Sequence, residues 1–321
     1  MSEIRGTVTH EAGAYKGGAY EGGAYEGGAH DAPPRPPGGG RAALPLTPAR
    51  RMALLIGVPV CLALTGYAGL TIVAQVAKGR IPFSHVFPAD ARQLSVSLGG
   101  GGNAVLEQVT AGPARLSGYG YYSFVRPTIT ERTSADSAAF GYPCSTFPIG
   151  TCSMNATLSV PAGTAVTIST SGGNLTADHL AGDLTLDTDG GNIQATAISA
   201  TRLSADTGGG NVTVDHVQGD LSLHTDGGNI QATGVAATRL AATSGGGDIE
   251  IVFTVVPRDV TVSTDGGNVT IVVPPGSTRY NVSASTDGGN VTDAIPHGAS
   301  SPDEITATSG GGDITIEQSA T

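Results

Sequence analysis

The sequence lacks tryptophan, and its 321 residues include only nine tyrosines, six phenylalanines and three cysteines. Its apolar residues are mainly Val, Ile, Leu and Ala, which favours a thin core of stacked coils over a globule built on large aromatic side chains. Glycine, with 49 residues, is about twice as frequent as in an average protein. The hydrophobic share of 39% nevertheless excludes wholesale disorder, and the Gly and Pro content excludes collagen.

Positive charge is scarce in the second half of the chain. Residues 161–321 contain four arginines, no lysine and 18 acidic residues. A polyanion of this kind argues against nucleic-acid binding, because phosphate backbones are recognised mainly by Lys and Arg. The absence of lysine also excludes covalent catalysis through a lysine amine in this half.

Residues 1–50 carry a five-residue repeat that places Tyr15, Tyr20 and Tyr25 at equal spacing, followed by a Pro/Gly-rich stretch. Neither a helical nor a strand period runs through this segment, and it has too little apolar surface to fold. We predict a disordered cytoplasmic tail that acts as a spacer. A partner that recognises the spaced tyrosines remains an alternative.

A run of 26 residues from Met52 to Ala77 has no charged side chain, which is long enough for one bilayer-spanning helix. It begins after about fifty residues, and no convincing cleavage site follows it, so it differs from a cleaved signal peptide. We predict a signal-anchor helix at 51–79 in the cytoplasmic membrane. The N-terminus is then inside and the C-terminal domain extracytoplasmic.

Two cysteines, Cys144 and Cys152, lie close together outside the apolar run, whereas Cys61 lies within it. We predict a disulfide between the pair, which fits an oxidising compartment. Two unrelated buried thiols are an alternative, and a metal site is a weaker one because no histidine lies near them.

Beyond residue 160, a Gly-Gly pair followed by Asn or Asp and an aliphatic residue recurs eight times, at intervals of 18 to 23 residues. The Asn or Asp positions are Asn174, Asn192, Asn211, Asn229, Asp248, Asn268, Asn290 and Asp313. Such a period is typical of a solenoid, in which each unit buries its apolar face against its neighbours.

Around each glycine pair, apolar and polar residues alternate, as in Leu184 and Leu186 before the turn and Ile193 and Ala195 after it. This alternation predicts short strands with the glycines at the corners. The predicted fold is therefore all-β: a single-stranded, right-handed β-solenoid with coils of about 18–23 residues, occupying residues 161–321. Stacking would align the eight Asn and Asp residues into a hydrogen-bonded ladder at the corner.

Residues 80–160 hold most of the aromatic side chains, including Tyr119, and a degenerate coil that turns at Asn103. We expect this segment to contain the first coils and the cap of the solenoid. Its aromatic residues are expected to serve packing more than ligand binding.

Four aspartates precede glycine pairs in the phrase TDGGN, and stacking could bring them into an acidic row. They are Asp189, Asp226, Asp265 and Asp287. Because the phrase differs from the glycine-rich nonapeptide of calcium-binding β-rolls, we expect only weak, salt-sensitive cation association and no tight calcium site.

The sequence resembles the bacterial adhesin-like domains of unknown function called toastrack β-solenoids, in membrane-anchored proteins of actinobacteria and other Gram-positive bacteria. The resemblance covers roughly residues 80–321. It is carried by the recurrent GGN and GGD turns, by VPAGTAVTIS at 160–169 and its echo VPPGSTRYNVS at 273–283, and by the cysteine pair before the first phrase. It implies a surface domain and no established catalytic residues.

The function predicted is a membrane-anchored, non-catalytic surface module that binds an envelope component or a partner protein. Envelope sensing is one alternative. A glycan-cleaving enzyme is another, since carboxylate pairs such as Asp187 and Asp189 are present. No metalloprotease, hydrolase-elbow or phosphate-loop motif occurs, so we predict no cofactor, no metal and no nucleic-acid partner.

Overall fold

A computed structural model describes residues 48–76, 78–124, 126–134, 136–144 and 152–320. The tail predicted for residues 1–50 therefore lies almost entirely outside the described residues and stays a prediction.

The one helix among the described residues, α1, extends from Pro48 to Val76. Its segment Leu55–Val73 is a candidate membrane span by length and composition, and none of that segment is buried. Inside the helix, the hydroxyl of Thr65 donates to the carbonyl of Cys61 (2.8 Å), which keeps this polar group satisfied without water. The helix starts earlier than the predicted bound of 51, and the charged residues after Ala77 belong to a strand instead.

The rest of the described chain is built almost entirely of β-strands. In chain order they are β1 (Lys78–Val86), β2 (Gln93–Leu98), β3 (Ala104–Val109), β4 (Arg115–Ser123), β5 (Thr130–Thr133), β6 (Ser137–Tyr142), β7 (Cys152–Pro161), β8 (Ala165–Thr170), β9 (Leu175–Asp178), β10 (Leu184–Thr188), β11 (Ile193–Thr196), β12 (Ser199–Thr207), β13 (Val212–Asp215), β14 (Gln218–Thr225), β15 (Ile230–Val235), β16 (Arg239–Ser244), β17 (Ile249–Phe253), β18 (Asp259–Thr264), β19 (Val269–Val273), β20 (Asn281–Thr286), β21 (Val291–Asp293), β22 (Glu304–Ser309) and β23 (Ile314–Gln318).

These strands form two long sheets. Sheet A has the order β1-β4-β7-β3-β9-β11-β13-β15-β17-β19-β23-β21, and sheet B has the order β20-β22-β18-β16-β14-β12-β10-β8-β2-β6-β5. Each coil gives one strand to sheet B and, after the glycine corner, one to sheet A. Pairing between successive coils is parallel and in register, for example Leu184 with Leu203 and Ile193 with Val212. The β-solenoid predicted from the repeat is confirmed.

The core lies between the two sheets and follows the sequence alternation. In β10, Leu184 and Leu186 are buried whereas Thr185 and Asp187 are exposed. Equivalent residues of successive coils stack, so Ile193 and Val212 continue a fully buried row along sheet A. Aliphatic side chains fill nearly all of this interior, as the scarcity of aromatics predicts.

The spatial order of the coils departs from chain order at both ends of the stack. Toward the C-terminus, the coil β22–β23 is inserted between β18–β19 and β20–β21. At the other end, β2–β3 lies between β6–β7 and β8–β9. A chain that leaves β7 or β19 must therefore step over one coil to reach the next strand.

The two segments that pass over a coil have related sequences. VPAGT, at 160–164, connects β7 to β8 across β2–β3, and VPPGST, at 273–278, connects β19 to β20 across β22–β23. Each contains a glycine with positive φ, Gly163 at 81° and Gly276 at 159°. The repeated phrase thus marks the positions where the coil order is exchanged.

The N-terminal end of the stack is closed by antiparallel strands. β1 and β4 extend sheet A beyond β7, and β5 extends sheet B beyond β6. Between the sheets, His85 on β1 contacts Phe87 and Phe140 and pairs with Glu131 on β5 at 3.0 Å. Phe87 and Phe140 are both buried, so these two aromatic residues of 80–160 pack at this end.

Candidate functional site

The corner Asn and Asp residues form a continuous ladder along the stack. In each rung, the side-chain Oδ1 of one residue accepts a hydrogen bond from the backbone N–H of the corner residue in the next coil. The distances are 2.7–3.0 Å over the spatial order Asn155, Asn103, Asn174, Asn192, Asn211, Asn229, Asp248, Asn268, Asp313, Asn290. All eight residues selected from the sequence repeat are in it.

The rungs differ from a ladder of amide–amide bonds, because every rung joins a side-chain oxygen to a backbone N–H, and a side-chain amide nitrogen also takes part only where Asn290 donates to Asp313 at 3.3 Å. A carboxylate oxygen accepts as well as an amide oxygen, which explains why Asp248 and Asp313 occupy rungs. The ladder also includes Asn155, which the repeat pattern did not reveal because Ser153 and Met154 stand where its glycine pair would be.

A second row of side chains supports the same corner from inside. Thr207 donates its hydroxyl to the carbonyl of Gly191 in the neighbouring coil (2.7 Å) and accepts from the N–H of Gly210 (3.1 Å). The residues at this position are Thr170, Thr188, Thr207, Thr225, Ser244, Thr264, Thr286 and Ser309. A hydroxyl residue four positions before each of the eight ladder residues of the repeat was the sequence signal for this row.

The last glycine before each ladder residue is required by close backbone approach. A β-carbon on Gly210 would overlap the carbonyl of Gly191 in the adjacent coil. Gly209, one residue earlier, has open space around the same position. The glycine pair therefore combines one sterically essential residue with one exposed residue.

The four aspartates of the TDGGN phrase occupy every second coil. Glycines hold the equivalent position between them, so the spatial order runs Asp189, Gly208, Asp226, Gly245, Asp265, Gly310, Asp287. Consecutive carboxylates are thus separated by about two strand spacings, roughly 10 Å. That separation is too large for two of them to bind one calcium ion, whose oxygen ligands lie at about 2.3–2.6 Å. Among the described residues, no three acidic, His or Cys side chains cluster as a metal site.

Charged side chains that recur in alternate coils, such as His179 with His216 and Arg202 with Arg239, also lie two coils apart. His179 pairs with Asp178 and His216 with Asp215, each at 2.8 Å within one coil. Hydrogen bonds from Thr233 and His216 lower the pKa of Asp215. Asp220, in the coil between Arg202 and Arg239, accepts from Nε of Arg239 at 3.0 Å. These charges are therefore paired locally.

Two carboxylates adjoin on the outer face of sheet B, where Asp187 of β10 pairs in register with Asp206 of β12. Partial desolvation raises the pKa of Asp187, and the neighbouring Asp206 and Asp189 raise it further. Ser169 of β8 flanks Asp187 in register on one side, and His224 of β14 flanks Asp206 on the other.

Cys144 and Cys152 form a disulfide whose Cα atoms are 5.7 Å apart. It closes the corner between β6 and β7, where the regular coils have glycines. Both cysteines pack against the core, and Sγ of Cys144 lies 3.1 Å from the carbonyl oxygen of Gly99 in the adjacent coil.

The outer face of sheet A carries a hollow of about 530 Å³ near the N-terminal end of the stack. Tyr119 lies at its edge with 44% of its surface exposed, and the guanidinium of Arg80 lies 3.6 Å from the centre of the tyrosine ring. Ladder residues Asn103 and Asn155 also line the hollow. The sequence indicated aromatic clustering here but not the hollow, which depends on how four strands align.

The family model for Toastrack DUF4097 matches residues 128–319, more than half of the chain. The chain belongs to the Toastrack DUF4097 family. No curated protein matches it. The Toastrack match begins after β4, so β1 to β4 and most of the hollow precede it, whereas β5 lies within it.

Solved structures similar to this Toastrack protein include proteins described as candidate adhesins. One, from Bacteroides fragilis, has 17% identity and a TM-score of 0.47, covering 75% of this chain and 97% of the other. Another, from Parabacteroides merdae, has 12% identity and a TM-score of 0.38, covering 75% and 96%. A third, from Parabacteroides distasonis, has 13% identity and a TM-score of 0.33, covering 75% and 97%. Membership of the family rests on the family model.

Proposed function

We propose that this Toastrack protein is anchored in the cytoplasmic membrane by α1 and acts outside it as a non-catalytic binding module. Its target would be an envelope component or a partner protein. Residues 1–50 then form a cytoplasmic tail, and the strands from residue 78 onward form the extracytoplasmic domain.

The observation that carries this proposal is the disulfide between Cys144 and Cys152. Structural disulfides persist in oxidising compartments and are rare in the cytosol, which favours export of the solenoid. A candidate span that precedes an exported domain is the arrangement expected of a signal anchor.

A binding role, rather than catalysis, is supported by how the repeat uses its polar side chains. The ladder oxygens and the buried hydroxyls are engaged in hydrogen bonds between coils, as shown by Asn211 and Thr207. Such groups fix the shape of a rigid surface. Rigid surfaces lower the entropic cost of ordering groups on binding.

The orientation can be tested with the full chain carrying one epitope tag at each terminus, expressed in wall-stripped cells. External protease should remove the C-terminal tag and spare the N-terminal one, with a cytoplasmic protein as the control for lysis. Protection of the C-terminal tag together with loss of the N-terminal tag would reverse the proposed topology.

Binding can be tested by immobilising the full chain in detergent and passing envelope fractions over it. A retained envelope protein or polysaccharide is the expected result. A chain that retains nothing from any fraction would contradict the binding role.

A further inference from the structure

The hollow on sheet A is formed where four strands present their outer faces side by side. Pro82 of β1 is in register with Tyr119 of β4, which in turn is in register with Asn155 of β7. One pair further along, Ser117 of β4 faces Thr157 of β7, which pairs with Val105 of β3. These residues border one open depression of about 530 Å³.

The exposed aromatic side chain at the edge of the hollow, Tyr119, is held in one orientation. The guanidinium of Arg80 lies over the Tyr119 ring at 3.6 Å, a cation–π contact that favours one ring orientation. Pro82, which is in register with Tyr119 and exposed, adds apolar area beside the ring. An exposed aromatic ring beside apolar surface gives a ligand contact area at little cost in side-chain entropy.

The polar side chains of Asn103 and Asn155, which line the hollow, are oriented by the ladder hydrogen bonds. Oδ1 of Asn155 accepts from the N–H of Asn103 at 3.0 Å, and Oδ1 of Asn103 accepts from the N–H of Asn174 at 2.9 Å. Since the oxygen of each amide is fixed on the neighbouring backbone, its Nδ2 group becomes the side that can donate to a ligand. The hydroxyls of Ser117 and Thr157 can both donate and accept.

We propose that this hollow binds an uncharged sugar residue of an envelope polysaccharide. A sugar ring has an apolar C–H face that would lie against the surface of Tyr119 and Pro82, and a rim of hydroxyls that the amide and hydroxyl groups would bind. The open shape admits one unit of a long polymer without requiring a chain end. This inference rests on the proposed extracytoplasmic binding role and names the class of ligand.

The test uses the full chain in a detergent that has no sugar headgroup. The probes are four tetrasaccharides, of glucose, mannose, galactose and N-acetylglucosamine. Saturation-transfer NMR identifies a bound probe, and calorimetric titration gives its affinity. At least one probe should bind with a dissociation constant on the order of millimolar, as expected for a shallow site.

Three variants locate the site. Tyr119→Ala should weaken binding about tenfold, since aromatic contacts contribute on that scale. Tyr119→Phe keeps the ring and should stay within about threefold of the original affinity. Phe124→Ala removes an aromatic that is 51% exposed and is not among the residues bordering the hollow, so it serves as the matched control and should bind normally.

The outcomes separate this inference from the proposed function. Failure of all four probes to bind, or equal binding by Tyr119→Ala, overturns the sugar site. If envelope polysaccharide is retained equally by the original chain and by Tyr119→Ala, the binding module stands and the hollow is not its site. If nothing in the envelope is retained, both proposals fail.

Discussion

The side-chain oxygen of Asn268 accepts a hydrogen bond from the backbone N–H of Asp313, although 45 residues separate them in the chain. The bond is 2.9 Å long, close to the 2.8 Å of rungs whose partners are only 18 or 19 residues apart. It is possible because the last coil of the chain is inserted next to β18–β19 instead of being added at the end of the stack.

The inserted coil should behave as interior structure despite its position in the sequence. Ile316 is fully buried, so Ile316→Ala should lower the free energy of unfolding by about 2–4 kcal/mol. Val291→Ala, in the coil that ends the stack, is the control and should cost less than about 1 kcal/mol, because Val291 is 44% exposed. Urea denaturation of the full chain in detergent, followed by circular dichroism, measures both. Equal effects would contradict the exchanged coil order.

The two glycines of one corner should respond differently to the same substitution. Gly210→Ala places a methyl group against the carbonyl of Gly191 and should cost several kcal/mol or prevent folding. Gly209→Ala meets open space and should change stability by less than about 1 kcal/mol. Expression level and thermal unfolding of the pair provide the comparison. A tolerated Gly210→Ala would mean that neighbouring coils are further apart than described.

The ladder requires an oxygen acceptor and not an amide. Asn211→Ala removes the acceptor for the N–H of Asn229 and should cost about 1 kcal/mol. Asn211→Asp keeps an acceptor at that rung and should cost less. Denaturation midpoints of the two variants, measured side by side in the full chain, decide this. Equal losses would show that the amide nitrogen contributes to the rung.

Asp187 should make stability depend on pH. Desolvation and the adjacent Asp206 and Asp189 raise its pKa in the folded state above the ordinary value of 3.8. As pH falls through that raised pKa, the folded state takes up a proton before the unfolded state does, so this carboxyl then opposes folding less. Asp187→Asn should therefore be more stable than the original chain at pH 7, and the difference should shrink toward pH 3. A difference in stability between the two chains that does not change with pH would contradict the raised pKa of Asp187.

The disulfide should stabilise the corner that lacks glycines. Closing so short a loop contributes about 2–3 kcal/mol on the chain-entropy model, so reductant should lower the denaturation midpoint of the original chain. Cys144→Ala combined with Cys152→Ala should show the lower midpoint without reductant and no further response to it. Cys61→Ala, which alters the cysteine of the helix, should keep the full response to reductant.

The fold was largely predictable because local signals agreed along the repeat. Alternation around Leu184 and Ile193 predicted strands, and recurrent glycines predicted corners, so the sequence identified the coils and most of the ladder. The exchanged coil order was not predictable from spacing, since pairing of β22 with β18 depends on contacts between distant segments. A signal was nevertheless present: TDGGN at Asp265 and at Asp287 follow each other without an intervening GGG turn.

The hollow was harder to foresee than the ladder. Tyr119 and Asn155 are 36 positions apart and belong to antiparallel strands, whose register is not set by the 18- to 23-residue period. Asn155 also lacks the glycine pair that identified the other corner residues. The periodic part of the domain could therefore be predicted from the sequence. The antiparallel strands that close the N-terminal end could not, because their register depends on contacts between segments that do not follow the repeat.

The exchanged order has a consequence for how the solenoid loses and gains structure. The first coil, β2–β3, and the last, β22–β23, are each held between two others, so neither can fray as an outermost coil can. A pull on the C-terminus loads β22 and β23 in shear against strands on both sides. During synthesis, β22 and β23 can pair with their neighbours on both sides only after residues 304–318 have emerged, so this end of the stack cannot be completed earlier.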